Sequence, residues 1–312
     1  MRSIPAMLLG LLVLLTATTA LAQPQVVASI RPVHALVAGV MEGVGEPILL
    51  VENVASPHDY SLRPSDLRAI GSAAVVFWVG EDLERALVKP IANAEQTRSA
   101  KLAQAPGVER LERRAGGSWD SHSHDQEHDD SDGLDVEHHH GDFDPHIWLD
   151  PRNAKAMVVH IATVLAELDP DRAEAYRHNA RRLVDRLEEL DRELAAALAP
   201  VREVPYFVFH DAYQYFEHRY GLNALGAITL DPERLPGARR VKEIRDRIQA
   251  GEARCLFSEP QFQSDLVTTL VEGTGAGTGV LDPLGGDLAA EQEAYFRLLR
   301  KLADSLRACL AG

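Results

Sequence analysis

The segment 169–200 reads DPDRAEAYRHNARRLVDRLEELDRELAAALAP. Asp169 is a favourable N-cap, Pro170 suits the first helical position, and Pro200 ends the pattern. An apolar stripe recurs at spacings of three and four residues, formed by Tyr176, Ala180, Leu183, Leu187, Leu190, Leu194 and Leu198. The segment predicts one helix, about 45 Å long at 1.5 Å per residue. A coiled-coil dimer is the alternative, but the short, Ala-rich stripe favours a rigid strut between two lobes.

On both sides of this helix, short β-branched strands alternate with helical patterns. The predicted strands are 25–30, 48–51 and 74–79 before the helix, and 205–209, 224–228, 255–258 and 279–281 after it. The predicted helices are 64–70, 81–94, 238–250, 264–272 and 288–310. This alternation predicts an α/β fold with two parallel-sheet lobes. We expect an N-terminal lobe at 23–168, a linking helix at 169–199 and a C-terminal lobe at 200–312.

Residues 1–22 are expected to be a cleaved export signal. Arg2 gives a positive start, Met7 to Leu15 form an apolar core, and Ala20-Leu21-Ala22 is a small-residue cleavage signal. The apolar run is too short for a membrane span, although a buried N-terminal helix is an alternative. We therefore expect cleavage after about Ala22, an exported mature protein and no direct membrane anchor.

The charge of the chain is strongly acidic. It has 32 Lys and Arg against 47 Asp and Glu, a formal net charge of −15. Such a chain repels phosphate backbones, and no basic patch is evident, so we expect no nucleic-acid partner. Residues 120–144 contain ten of the acidic residues and no Lys or Arg. Most of the acidity therefore belongs to one segment.

Most of that segment lies in an insertion, residues 115–142, that interrupts the α/β pattern. It has few apolar residues to bury and is expected to be a solvated, mobile loop. Imidazoles beside carboxylates bind zinc, so we predict an auxiliary weak metal loop. Its histidines are His122, His124, His128, His138, His139 and His140. A solvated acidic insertion without a metal role is the alternative.

Three other histidines lie where a sheet would present ligands. His58 comes soon after the second predicted strand, His146 lies between prolines, and His210 directly follows an apolar strand. Open α/β sheets bind ligands at the carboxyl ends of their strands. Each could be an ordinary histidine, but their shared placement favours one metal site. Asp282 ends another predicted strand and is a candidate fourth ligand.

The two cysteines, Cys255 and Cys309, both lie in the C-terminal region. In an exported protein an isolated pair favours one disulfide, with two buried free thiols as the alternative. Closing such a loop would stabilise the fold by about 4 kcal/mol in the chain-entropy model.

Four segments resemble the signature segments of the ZnuA family, the periplasmic zinc-binding proteins of high-affinity zinc ABC importers. They are SPHDYSLRPSD at 56–66, DPHIWLDP at 144–151, FHDAY at 209–213 and LDPLG at 281–285. The resemblance extends over the whole mature chain in the same order. It includes the strut helix, the histidine-rich insertion and the cysteine pair.

The resemblance implies two lobes with Zn²⁺ held in the cleft between them by His58, His146 and His210. It also implies a periplasmic location, a disulfide between the two cysteines and a membrane permease as partner. We also expect a monomer. Some family members have Glu directly before the first histidine, where this chain has Pro57. The fourth ligand is then water, Asp282 or a loop histidine. Three imidazoles suit zinc better than manganese.

Two alternative functions remain at this point: a secreted zinc hydrolase and a periplasmic zinc buffer without a transporter. A catalytic zinc also takes three protein ligands and water. The chain has no HExxH motif, however, and Gln126 stands where an HxHxD motif needs Asp. Glu259 is a candidate general base, although a structural hydrogen-bonding role is favoured. We therefore predict a binding protein rather than an enzyme.

Overall fold

The fold is described from a computed structural model that covers residues 23–52, 56–114, 119, 143–230, 232, 236–262 and 265–312. The predicted export signal, with cleavage after Ala22, lies outside these residues. So does the predicted auxiliary metal loop, His122 to His140. Both stay predictions.

Four parallel strands form a sheet in the first half of the chain. They are β1 (Val26–Ala28), β2 (Ile48–Leu49), β3 (Val75–Trp78) and β4 (Arg98–Lys101), in the spatial order β2-β1-β3-β4. The connecting helices are α1 (Arg31–Val40), α2 (Pro64–Ser72) and α3 (Arg85–Asn93). Every residue of β1 and β3 is buried, as expected for central strands of a parallel sheet covered on both faces.

A second sheet of four parallel strands follows in the second half. Its strands are β5 (Tyr206–His210), β6 (Ala224–Thr229), β7 (Cys255–Ser258) and β8 (Gly277–Val280), in the order β6-β5-β7-β8. The two sheets therefore have the same strand order. In each, the direction of winding reverses between the first and third strands, which is the topological switch point where open α/β sheets bind ligands.

Two antiparallel-packed helices connect the sheets, and three shorter helices and a long C-terminal helix surround the second one. The connecting pair is α4 (Pro151–Leu168) and α5 (Ala173–Leu198), and the others are α6 (Gln214–Tyr220), α7 (Ala238–Gln249), α8 (Asp265–Val271) and α9 (Ala294–Leu310). Helix α5 is the predicted strut, with its first turn, Pro170–Arg172, as a 3₁₀ helix. Its apolar stripe is buried against α4, α1 and α9, which leaves no apolar seam along this stripe for a coiled-coil partner.

Several predicted boundaries differ from the structure. The last helix was expected from residue 288 but begins at Ala294, because turns occupy the preceding residues, with Leu288 N–H bonded to Gly285 O at 3.0 Å. Strand β4 has no apolar alternation and was not predicted. The lobe boundaries at 168 and 200 stay predictions.

The two cysteines form a disulfide, which joins β7 to α9 through Cys255 and Cys309. None of the helices in the described residues is both long and apolar enough to cross a membrane.

Candidate metal centre

Three histidines from distant parts of the chain meet at one point. His58 lies between β2 and α2, His146 precedes the 3₁₀ turn Ile147–Leu149, and His210 is the last residue of β5. Each offers a ring nitrogen, and these nitrogens all lie within 4.8 Å of one another. In the part of the chain that the structure describes, this is the one group of three or more potential metal ligands.

His146 is oriented by a carboxylate two residues earlier. Asp144 Oδ1 accepts the backbone N–H of His146 at 3.0 Å and lies 2.6 Å from its Nδ1. Both side chains are buried. Because Nδ1 bonds to the carboxylate, Nε2 is left to face the other histidines, which is the arrangement by which carboxylates fix metal-binding imidazoles. Burial raises the pKa of Asp144 to about 6.

His210 is oriented in the same way by Glu259, which directly follows β7. Its Nδ1 lies 2.7 Å and 2.8 Å from the two carboxylate oxygens, and its backbone N–H donates to Oε1 at 3.2 Å. Since His210 ends β5, this bond spans the switch point between β5 and β7. Glu259 is 3% exposed. The second sheet thus places an imidazole and its partner where its topology favours ligand binding.

The spacing of the ring nitrogens suits zinc. The Nε2 atoms of His146 and His210 are 3.4 Å apart. Zn–N bonds of about 2.0–2.1 Å in a tetrahedral site put neighbouring nitrogens about 3.3 Å apart. His58 Nε2 is buried and has no hydrogen-bond partner within the described structure. His58 therefore has a buried donor atom available to the group.

The electrostatics of the three rings differ. Burial, together with the neighbouring histidines and Arg113, holds the pKa values of His58 and His146 well below 6.5. Burial also opposes protonation of His210, but the Glu259 carboxylate beside it raises the pKa of His210 above 6.5. Of the three rings, His210 therefore has the strongest tendency to carry a proton. Because zinc requires neutral imidazole, a proton on His210 would compete with a bound zinc ion.

The cavity beside the histidines is small and largely apolar. Its space for a water-sized occupant is about 10 Å³, which is room for about one water molecule. Besides the histidines, it is lined mainly by Pro57, Trp148, Phe262, Pro283 and Leu284. The indole of Trp148 donates to Pro283 O at 2.8 Å, so residues from both halves of the chain close it.

The structure does not bring Asp282 into this group. Its Oδ1 accepts from Gln261 Nε2 at 2.7 Å and from Leu284 N–H at 3.0 Å, and its Oδ2 accepts from Gly286 N–H at 2.7 Å. These bonds close the turn that follows β8. They occupy both oxygens, so the geometry gives no support to Asp282 as the fourth ligand.

Sequence reasoning missed the role of Asp144. The signal was present in the Asp144-Pro145-His146 spacing, which puts a carboxylate within reach of the imidazole two residues later. Glu259, 49 residues beyond His210, could be connected with it only through the fold.

Three histidines, two of them oriented by buried carboxylates, lie together between two parallel sheets, an arrangement that fits a metal-binding solute-binding protein. The chain belongs to the ZnuA family, whose model, described as zinc-uptake complex component A, periplasmic, matches residues 26–309. The predicted resemblance and fold class are confirmed.

The relatives agree in length as well as in sequence. The chain is 46% identical over 305 residues to the high-affinity zinc uptake system protein ZnuA of Brucella suis, covering 92% of this chain and 91% of the relative. The corresponding protein of Yersinia pestis is 37% identical over 298 residues, covering 93% and 92%.

Solved structures share the fold. A crystal structure of ZnuA superposes with a TM-score of 0.73 at 25% identity, covering 91% of this chain and 100% of that chain. A mutant laminin-binding adhesin from Streptococcus agalactiae gives a TM-score of 0.74 at 23% identity, covering 92% and 99%. The second likeness concerns the fold alone.

Proposed function

We propose that this protein captures Zn²⁺ in the periplasm and delivers it to the membrane permease of a zinc ABC importer. The observation that carries the proposal is the group of three histidine nitrogens within 4.8 Å, two of them on rings oriented by buried carboxylates. Membership of a zinc-uptake family and relatives named for high-affinity zinc uptake support it.

Capture begins from a partly formed site. His146 and His210 already have the spacing of two zinc ligands, and His58 closes onto the ion as the third. We assign the fourth position to water, because the side chain of Pro57 has no donor atom, the oxygens of Asp282 are engaged elsewhere, and the histidines of the insertion are assigned to the weak sites. Three imidazoles favour zinc over manganese, which prefers more oxygen ligands.

A hydrolytic role is less well supported. Both oxygens of Glu259 lie within hydrogen-bonding distance of His210 Nδ1, so this carboxylate is not available as a general base. The cavity has room for about one water molecule and not for an organic substrate. We therefore propose a binding protein without catalysis.

The remaining features are assigned as follows. The export signal is removed after about Ala22, the lobes are residues 23–168 and 200–312, and the mature protein is a monomer. The histidines of the insertion bind zinc weakly and raise its concentration near the cleft. Mass spectrometry of the periplasmic protein tests the cleavage point, and light scattering after size-exclusion chromatography tests the monomer.

The central experiment is isothermal titration of the demetallated mature protein with Zn²⁺ and with Mn²⁺. We expect one tight zinc-selective site and additional weak sites. Equal affinity for the two metals, or no tight site, would contradict the proposal. Transport is tested by growth: a strain lacking the protein should grow poorly when zinc is scarce, whereas normal growth would favour a zinc buffer.

A further inference from the structure

The two segments that flank the insertion form a short neck, defined as residues 111–114 and 143–144. Asp144 N–H donates to Leu111 O at 2.9 Å, and Glu112 pairs with Phe143 as an antiparallel bridge. The neck belongs to the first half of the chain, and Asp144, which orients His146, lies within it. Any constraint on the neck therefore acts close to the metal centre.

The neck rests on helix α6 of the second half. Leu111 N–H donates to the Tyr215 hydroxyl at 3.0 Å, and that hydroxyl donates to Asp144 O at 2.8 Å. Gln214 Nε2 donates to Glu112 O at 3.0 Å. Because α6 follows His210 after only a few residues, the neck also lies close to the second oriented histidine.

Arg114 makes the strongest connection between the neck and the second half. Its guanidinium donates to Glu217 Oε2 at 2.7 Å and forms two hydrogen bonds with the carboxylate of Asp211. The side chains of Arg114, Asp211 and Glu217 are 19%, 9% and 5% exposed. The ring of Trp119 covers the guanidinium, with its centroid 3.5 Å from Cζ. Charge-assisted pairs of this kind, shielded from water, are strong and geometrically specific.

Asp211 directly follows His210, and the backbone turns there, with Ala212 N–H bonded to His210 O at 2.9 Å. We propose that Arg114 is a positioning residue for the zinc site: by holding Asp211 from the opposite half of the chain, it fixes His210 and slows zinc release. The inference rests on the proposed zinc-binding function and adds a residue that touches neither the histidines nor their carboxylates.

The sign of the charge effect separates positioning from simple electrostatics. Arg114→Gln removes a positive charge near the site, which by charge alone would make Zn²⁺ bind more tightly. Asp211→Asn removes a negative charge, which by charge alone would weaken binding. If Arg114 and Asp211 act by positioning His210, both changes speed zinc release.

The test is stopped-flow release of zinc from the full-length mature protein into excess chelator. We expect Arg114→Gln and Asp211→Asn each to speed release by about 10–100-fold, the range for groups that orient a metal ligand. The double variant should be no faster than either single variant, because both break the same contact. Arg114→Lys, which can still pair with one carboxylate, should restore part of the slow release.

Two controls separate positioning from a loss of stability. Glu217→Gln leaves the contact between Arg114 and Asp211 in place. It should lower the melting temperature without speeding zinc release. Arg219→Gln breaks a comparable ion pair, from α6 to Asp191 of α5, and should also leave release unchanged. Circular dichroism verifies the fold of each variant. If Arg114→Gln does not fold, Arg114→Lys carries the test, because it keeps the positive charge and loses only the two-bond geometry: faster release than in the wild type supports positioning, and unchanged release contradicts it.

Unchanged or slower release in Arg114→Gln, or multiplied effects in the double variant, would overturn the inference while leaving the proposed function intact. Absence of tight zinc binding in the wild-type protein would overturn both.

Discussion

The two sheets have the same strand order, yet their switch points are occupied differently. In the first sheet, Ser29 follows β1 and donates its hydroxyl to Glu84, which also accepts the backbone N–H groups of Val79 and Gly80. In the second sheet, His210 ends β5 and bonds to Glu259. Each switch point thus holds a buried glutamate bonded to a residue at the end of the first strand.

The two switch points differ in whether the residue bonded to the glutamate keeps a further atom that can bind a ligand. The hydroxyl of Ser29 and the carboxylate of Glu84 satisfy each other within the first half of the chain, and burial raises the pKa of Glu84 to about 7. His210 uses Nδ1 for its glutamate and keeps Nε2 for a ligand. The topology therefore provides the place, and the second nitrogen of the imidazole gives that place a donor atom for the proposed metal site.

The largest expected effect comes from removing that imidazole. His210→Ala should weaken zinc binding by more than about 100-fold, beyond the range for a lost orienting group. His58→Ala should reduce zinc affinity by a smaller factor, because in the described structure no carboxylate orients the His58 ring and water can replace its imidazole as a ligand. Competition titration against a chelator measures both. Tight binding retained by the His210 variant would remove the basis of the comparison.

The next largest effect on zinc affinity should come from Glu259, one of the two buried glutamates at the switch points. Glu259→Gln should weaken zinc binding by about 10–100-fold, because a neutral amide orients and polarises His210 less well. Glu84→Gln, at the equivalent point of the first sheet, should leave zinc affinity unchanged. Both variants are titrated with zinc under the same conditions. Equal losses would mean that the two switch points are not functionally distinct.

Glu84 should also make the stability of the folded protein depend on pH. Its folded pKa of about 7 is above the unfolded value, so its protonated form stabilises the fold and that stability is lost as pH rises through 7. Relative to Glu84→Gln, the free energy of unfolding of the wild type should fall by up to about 3 kcal/mol between about pH 5 and pH 8. Urea unfolding at several pH values measures this, and a constant difference would contradict it.

The pH dependence of zinc binding is the next smaller effect. Zinc displaces the proton on His210, whose pKa is raised above 6.5 by Glu259. Affinity should therefore be full above that raised pKa and fall by about tenfold per pH unit below it. In Glu259→Gln the fall should begin at a lower pH. Calorimetry in buffers of different ionisation enthalpy counts the proton released, and zero release throughout would contradict this assignment.

The smallest effect on the tight site should come from deleting residues 120–142. The three cleft histidines lie outside that segment, so the tight zinc affinity should not change, whereas the weak sites should disappear. Calorimetric stoichiometry before and after the deletion measures both. Loss of the tight site would place one of its ligands in the insertion.

Much of the fold followed from local patterns. The strut helix was evident from its apolar stripe and its prolines, and β7 was delimited at Cys255–Ser258 from its apolar run. The edge strand β4 was missed because Arg98–Lys101 has only one buried residue, Ala100, and is recruited by pairing with β3. Pairing of this kind is tertiary and leaves little trace in the sequence.

For the site, the sequence indicated the three histidines but not what surrounds them. Their placement after strands, or between prolines, was local information. Three features depended on distant parts of the chain: the bond from His210 to Glu259, the contact between Arg114 and Asp211, and the engagement of Asp282 in its own turn. Of the orienting groups, Asp144 alone was close enough in sequence to be found.

Helix α5 packs against α1 and α4, which precede it in the chain, and against α9, which lies at the C-terminal end of the second half. A wide opening of the halves would shear these contacts, so we expect the empty and loaded molecules to keep nearly the same outline. A transporter that must distinguish them cannot then rely on overall shape. The zinc-bound state would then differ from the empty state mainly in short surface segments such as the one that contains His58. The permease would have to recognise the local conformation of those segments.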